Sequence, residues 1–522
     1  LAALCWDGGV AAAAVEPYSE SEAGIIRNGV FAALPDAFGI SLGYTNDPTT
    51  FKNRSTPAPS TRSMACKAQT SGRIYLHSGP RTELHEIIRQ EYARHQDRAV
   101  PRNTLRQAVQ GMLDTFAYQN FDAAAGEYTN RCCRPPRETE MRPWRLVTEI
   151  GWTGGGVLAY PLVLCRDALG ADAEAPLAAA MSGEQLFDRI ADAYNENSGL
   201  LNDLMAPNAA GSQVNGWWTG YGLVKDCHCA YTVGSAIHYL TKTMDYLHQN
   251  GKPCPAKWMD AAQKVLHTVM DLQRADGAFG YTYSTQERKV LDWSGFAGCW
   301  FAPALVYLYR LTGEERCLHS AEKALHYYHT FVKDLNCYGT PMDTWKAVDE
   351  EGNLAFMRGS RLLYEQTGKA EFLQYMKDSA GYEFLWRYGY KTYPEHTPLN
   401  QGWSACGGAV TSVSNPHIHP MGVIIDTDLR YLARVTGDGY YASRAADSAA
   451  WMLQCLELYP AATGYGRYGI LSERWCPSDG LDVERFSDGR PFSSWFSHNL
   501  WASACVLEAA CELLLEIEHK KG

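Results

Sequence analysis

After Thr82 the apolar positions fall at helical spacing almost without interruption, and two kinds of helix alternate. One kind begins with polar or acidic residues, passes through small residues into a run that is apolar on nearly every face, and ends at a glycine-bearing stop. Six segments follow this layout: 149–170, 226–251, 292–313, 349–368, 417–437 and 493–518. Between them lie amphipathic segments at 103–118, 184–196, 256–274, 315–333, 370–388 and 440–458, whose charged faces leave one apolar stripe. The joins LTGEERC, QTGKAEF and VTGDGYY are tight and open on glycine, which ends a helix in the left-handed conformation at little cost.

Six helices apolar all round and six with a single stripe are what a two-layer toroid requires, because its inner ring is buried on all sides and its outer ring on one. The pattern therefore predicts a mainly α protein, an (α/α)6 barrel over residues 86–522 that carries the chemistry. An α-solenoid is the alternative, but its repeats are shorter and more regular. Residues 1–85 are rich in Gly, Pro, Ser and Thr, with short runs at 29–34 and 73–77 that suit strands, and read as the remnant of a small β region. The tight joins place the long loops at the other end of the barrel, where the polar starts of the inner helices converge on one mouth.

Composition narrows the choice of partner. The net charge of −11 and the lack of a clustered basic face argue against nucleic acid, and no stretch is apolar enough to span a membrane. The 15 Trp and 31 Tyr suit a surface that holds the apolar faces of sugar rings, although aromatics also fill large cores. Most of the 16 cysteines sit in apolar helical runs, as Cys165, Cys299, Cys455, Cys505 and Cys511 do, which suits buried thiols and a reducing compartment, the cytoplasm in preference to secretion. The start at Leu1 reads as a truncation. Neither Cys132-Cys133 nor Cys227-His228-Cys229 has the paired spacing of a structural zinc site, so no metal and no cofactor is expected. Homo-oligomers are left open.

The candidate chemistry lies at the predicted mouth. Glu149, Asp226, Asp292 and the run Asp349-Glu350-Glu351 stand at or near inner-helix starts. Such residues also cap helices, but capping does not call for Trp152, His228 and Trp293 beside three of them. Cleaving a glycosidic bond takes one protonated carboxyl and one ionised carboxylate. Asp292 beside Trp293 suits the acid, with Glu149, Asp226, Asp349 and Glu350 competing for the second role. Trp217, Trp218, Trp403 and Trp475 lie in loops expected to fold over the mouth, and His417 and His419 suit substrate hydrogen bonding. Arg358 could pair with a carboxylated sugar or with an internal acid.

On these residues the chain resembles the six-hairpin glycosidases over roughly residues 100–520. Asp292 followed by LYRLTG at 308–313 looks like the inner-helix start of the unsaturated uronyl hydrolases, a likeness that implies a proton-donor role for Asp292. A β region ahead of a toroid with Trp-rich loops is similar to the exo-acting β-glucuronidases of glycoside hydrolase family 154. RCCRPP at 131–136 resembles the Cys-Cys-Pro-Pro stretch of the β-L-arabinofuranosidases, but its Glu-x-Cys partner is missing, so no Cys nucleophile is carried over. The expected function is an exo-acting glycoside hydrolase on a uronic-acid-containing oligosaccharide or glycoside. The alternatives are a polysaccharide lyase using Tyr221, Tyr231, His228 or His417, a β-L-arabinofuranosidase, and a non-catalytic glycan-binding toroid.

Overall fold

The computed structural model describes residues 2–6, 8–15, 18–21, 24–34, 37–42, 71–95, 98–122, 127–132, 142–145, 148–151, 155–170, 174–205, 213–214, 216–218, 223–340, 346–391, 403–412, 415–456, 458, 469, 471–475, 494–495, 497–498 and 500–519. Among the described residues, helix α1 (Glu83–Arg94) precedes twelve α-helices that alternate between two layers. The outer helices are α2 (Leu105–Thr115), α4 (Glu174–Asp192), α6 (Ala256–Asp271), α8 (Glu315–Lys333), α10 (Ala370–Trp386) and α12 (Gly439–Cys455). The inner helices are α3 (Gly156–Leu169), α5 (Ala230–Gln249), α7 (Phe301–Thr312), α9 (Glu351–Thr367), α11 (Asp426–Thr436) and α13 (Leu500–His519). Each inner helix packs on the next, and α13 returns to α3, so the ring closes as an (α/α)6 toroid.

The two layers differ as their sequences demand. In α5 every residue from Ala230 to Asp245 is buried, whereas α6 buries Trp258, Ala261, Ala262, Val265, Leu266 and Val269 at helical spacing. Gly313, Gly368 and Gly437 end α7, α9 and α11 with φ of 73°, 65° and 70°, a left-handed conformation that a Cβ resists. Close approach of inner helices also relies on glycine. A Cβ on Gly234 of α5 would lie 2.7 Å from Trp300 Cβ, so Gly234→Ala should cost about 1–3 kcal/mol by overpacking. Thermal unfolding checks this against Gly439→Ala, where nothing lies within 4 Å.

A three-stranded antiparallel sheet, Ala2–Trp6, Gly9–Val15 and Gly72–Ser78, packs beside α1 through Val10, Ala12, Leu84 and Ile87. Arg89 of α1 then pairs with Asp438 at the start of α12 at 2.7 Å, tying this layer to the barrel. No described helix is long and apolar enough to cross a membrane. The described cysteines are free, and Cys165, Cys299, Cys455, Cys505 and Cys511 are all buried.

The long loops depart from the helical expectation, because short strands stand ahead of the inner helices. Asp226 is not a helix start: it is exposed, with φ of 58°, in the turn between strands Leu223–Lys225 and Cys227–Cys229. Asp292 ends the strand Val290–Asp292, well before α7 begins. Glu149 and His417 also lie in strands. Backbone pairing explains the shift, since Cys227–Cys229, Thr282–Ser284 and Val290–Asp292 form one antiparallel sheet across two successive loops.

Candidate active site

Tyr281 is fully buried just ahead of the strand Thr282–Ser284. Its backbone N–H donates to the Asp292 carbonyl at 2.7 Å, at the end of the strand pair Thr282–Ser284 and Val290–Asp292. Trp217 meets the Tyr281 ring edge to face at 6.3 Å. Burial first, and then the charges of Cys229, Asp292 and Asp349, raise the Tyr281 phenol far above its ordinary value, so its hydroxyl stays protonated.

The two acids whose charges act on Tyr281 have unlike surroundings. Asp292 keeps 31% of its side chain exposed and pairs with Lys346 at 2.6 Å. Asp349 is fully buried. Its backbone is clamped, with N–H donating to Cys337 O at 3.0 Å and Tyr382 donating to its carbonyl at 2.6 Å. Its Oδ1 accepts from Gly352 N at 3.3 Å, capping α9, while Oδ2 has no partner. Burial and the neighbouring Glu351 push the Asp349 carboxyl well above the usual carboxylate range, against the pull of backbone N–H groups. Glu351 points to the barrel interior, where it accepts from Tyr231 of α5, whose ring stands edge to face with Trp300 at 5.8 Å.

Other predicted residues are placed elsewhere. Trp293, the residue after the strand end at Asp292, lies under the Arg274 guanidinium at 5.2 Å. His228 is buried with Nε2 2.9 Å from Ser198 Oγ, and burial lowers its pKa to about 4, so it is a neutral imidazole. His419 stacks on Trp501 with ring centroids 6.0 Å apart. Trp403 donates to Cys455 Sγ at 3.4 Å and Trp475 packs edge to face on Trp451 at 5.4 Å, so both pack against α12. Glu350 turns away from Tyr281 toward α10 and Gly422. Trp152 and Tyr221, and the side chains of Glu149, Trp218 and His417, lie outside the described residues. Among the described residues no group of three or more His, Cys, Asp or Glu could hold a metal ion.

Below the mouth a charged layer crosses the barrel. Lys242 of α5 pairs with Glu508 and, at 2.7 Å, with Glu512 of α13. Tyr160 of α3 and Thr427 of α11 donate to Glu512 at 3.0 and 2.8 Å. Arg358 donates to Asp428 at 2.8 Å and to Ile424 O at 3.1 Å, so it is engaged internally. Arg310 of α7 joins Glu365 at 2.7 Å and Asp245 at 3.4 Å, so all six inner helices contribute. Sequence reasoning missed Tyr281, Lys346 and, apart from Arg358, this floor. The strand-like alternation of FGYTYS at 279–284 was the signal available for Tyr281; Lys242 and Glu508 are too far apart in sequence to announce each other.

No family model matches the sequence, and no curated protein does either. Solved structures do match. A D-mannose isomerase aligns with a TM-score of 0.50 and 10% identity over 79% of this chain and 97% of that one. The cellobiose 2-epimerase of Spirochaeta thermophila aligns at 0.50 and 11% over 84% and 98%. A family 76 glycoside hydrolase (mannosidase) of Bacteroides thetaiotaomicron aligns at 0.50 and 13% over 80% and 99%. At these identities the likeness establishes the fold, an (α/α)6 toroid preceded by a small β sheet.

Proposed function

We propose that the protein is a glycoside hydrolase acting at the end of a glycan, with Asp349 as proton donor and Asp292 as the charged partner that activates water or attacks the sugar. One observation carries this reading: two carboxyls in opposite environments both raise the phenol of the same tyrosine through their charge, one buried with its pKa raised, the other part-solvated and paired with lysine. Glycosidic cleavage needs such a split. Asp349 Oδ2 is buried and makes no hydrogen bond within the protein, so a proton there is not committed to an internal acceptor. The acid role thus passes from Asp292 to Asp349. The charged floor supports end-on attack, since a chain cannot thread a plugged barrel.

The uronate preference loses the support of Arg358, whose guanidinium is taken by Asp428. Of the candidate bases for the lyase alternative, Tyr231 is disfavoured, because burial and Glu351 raise that phenol well above its ordinary value. The solved sugar isomerases and epimerases of the same fold make sugar interconversion the outcome to test against. Purified protein should release the aryl group from one member of a panel of aryl glycosides that includes α-mannoside, β-glucuronide and α-L-arabinofuranoside. Conversion of free mannose or cellobiose without any aryl release would replace the hydrolase reading, and new unsaturated-uronate absorbance on acidic polysaccharides would mean a lyase.

A further inference from the structure

The middle carboxylate of Asp349-Glu350-Glu351 faces a second set of charged groups. A Cβ on Gly422 would lie 2.3 Å from Glu350 Oε1 and 3.0 Å from Glu383 Oε1, so the two carboxyls abut over the bare backbone of that glycine. Arg387, just past the end of α10, donates to Glu383 at 2.7 and 3.1 Å and to Asp426 of α11 at 3.0 Å. Neither Glu350 oxygen has a donor. Glu350 and Glu383 are 0% exposed and Asp426 1%. Three ionised carboxylates facing one guanidinium in so dry a place are not sustainable, and the member with no donor is the one to keep a proton.

We propose that Glu350 is held as a neutral carboxylic acid sharing its proton with Glu383, and that this acid pair, fixed by Arg387 and Asp426, positions Asp349 and Glu351 on either side. The positioning half rests on the hydrolase reading above; the acid pair does not. The charged and titratable groups facing Glu350 are Glu383 and Arg387 from α10 and its end, Asp426 from α11, Cys505 from α13, and Asp349 and Glu351 from its own segment. Burial first, then Glu383, pushes Glu350 well above its ordinary value. Asp426 is pushed up to about 7 by burial, against Arg387. The backbone makes the pair a lever on the site, since Glu350 N–H donates to Thr411 O at 2.7 Å and Asn353 next along α9 bonds Ser379 of α10.

A raised carboxyl contributes stability that is fully present below the unfolded value of 4.5 and is lost as pH rises through the folded value. The full chain should therefore show a Tm that falls from about pH 5 to about pH 8. In Glu350→Gln, whose amide can donate to Glu383 without titrating, that fall should be smaller, with Tm at the upper pH equal to or above wild type. Its infrared spectrum should lack one buried carboxylic-acid C=O band. Glu350→Ala should lower Tm at both pH values and reduce kcat, while Glu350→Gln keeps wild-type turnover. Glu383→Gln provides the second variant, moving loss of the acid band to lower pH. A Glu350→Gln protein with an undiminished acid band and a slope parallel to wild type overturns the acid pair. Loss of the band together with loss of turnover overturns the positioning role. If wild type itself hydrolyses no glycoside, the hydrolase reading and the positioning half fail, and the Tm and infrared results still decide the acid pair.

Discussion

Replacing Asp349 by Asn should lower turnover by about 10²–10⁴-fold on a glycoside with a poor leaving group, because the proton that the leaving oxygen needs is gone. The loss should shrink on an aryl glycoside whose phenol leaves as a stable anion, since such a group departs unprotonated. Asp292→Asn should show no such relief, because activation of water or attack on the sugar is required whatever leaves. The leaving-group dependence of kcat/KM in the two variants therefore separates the acid from its partner. Equal losses across all leaving groups in Asp349→Asn would remove it from the donor role. The folded state should survive in either case: Asn at 349 can still cap α9 through its side-chain oxygen, as Asp349 does to Gly352.

Lys242→Met should be strongly destabilising, costing about 3–5 kcal/mol, as removing one partner of a buried ion pair does. Lys242 is 4% exposed and serves Glu508 and Glu512 together. The two acids differ. Burial pushes Glu512 up, but Lys242 and Arg358 overcome it and hold the carboxyl at about 2, whereas on Glu508 burial outweighs the same lysine and the carboxyl is raised. Without Lys242, Glu508 retains Tyr239, which donates at 2.9 Å, and Glu512 retains Tyr160 and Thr427. Glu508 is thus the acid left with the less compensation. Denaturant unfolding should show the loss in Lys242→Met and recover much of it in Lys242→Met combined with Glu508→Leu, because an apolar pair of similar volume removes the orphaned charge. A single variant as stable as wild type would mean that the floor adds little to closure of the ring.

The helices were legible because burial dictates side-chain chemistry one residue at a time. A helix such as α5, wrapped by neighbours, must be apolar all round, and one such as α6 needs only a stripe, so the two layers could be sorted without coordinates. Gly313, Gly368 and Gly437 marked the stops for an equally local reason, the left-handed φ that glycine adopts most cheaply. The short strands of the mouth were not legible. A three-residue strand such as Cys227–Cys229 is defined by a partner more than fifty residues away, and its own sequence carries too little alternation to reveal it.

The site divides along the same line. The sequence by itself determined the closed double ring, because burial sets which helices are apolar all round and which carry one stripe. Only the tertiary structure decided what each acid can do. Asp292, Asp349 and Glu350 are alike as letters, and what separates them is distant in sequence: Lys346 beside the first, the dry cap of α9 around the second, Glu383 and Arg387 against the third. A carboxyl's charge state is set by the dielectric and the charges within a few ångströms of it, and those are properties of packing.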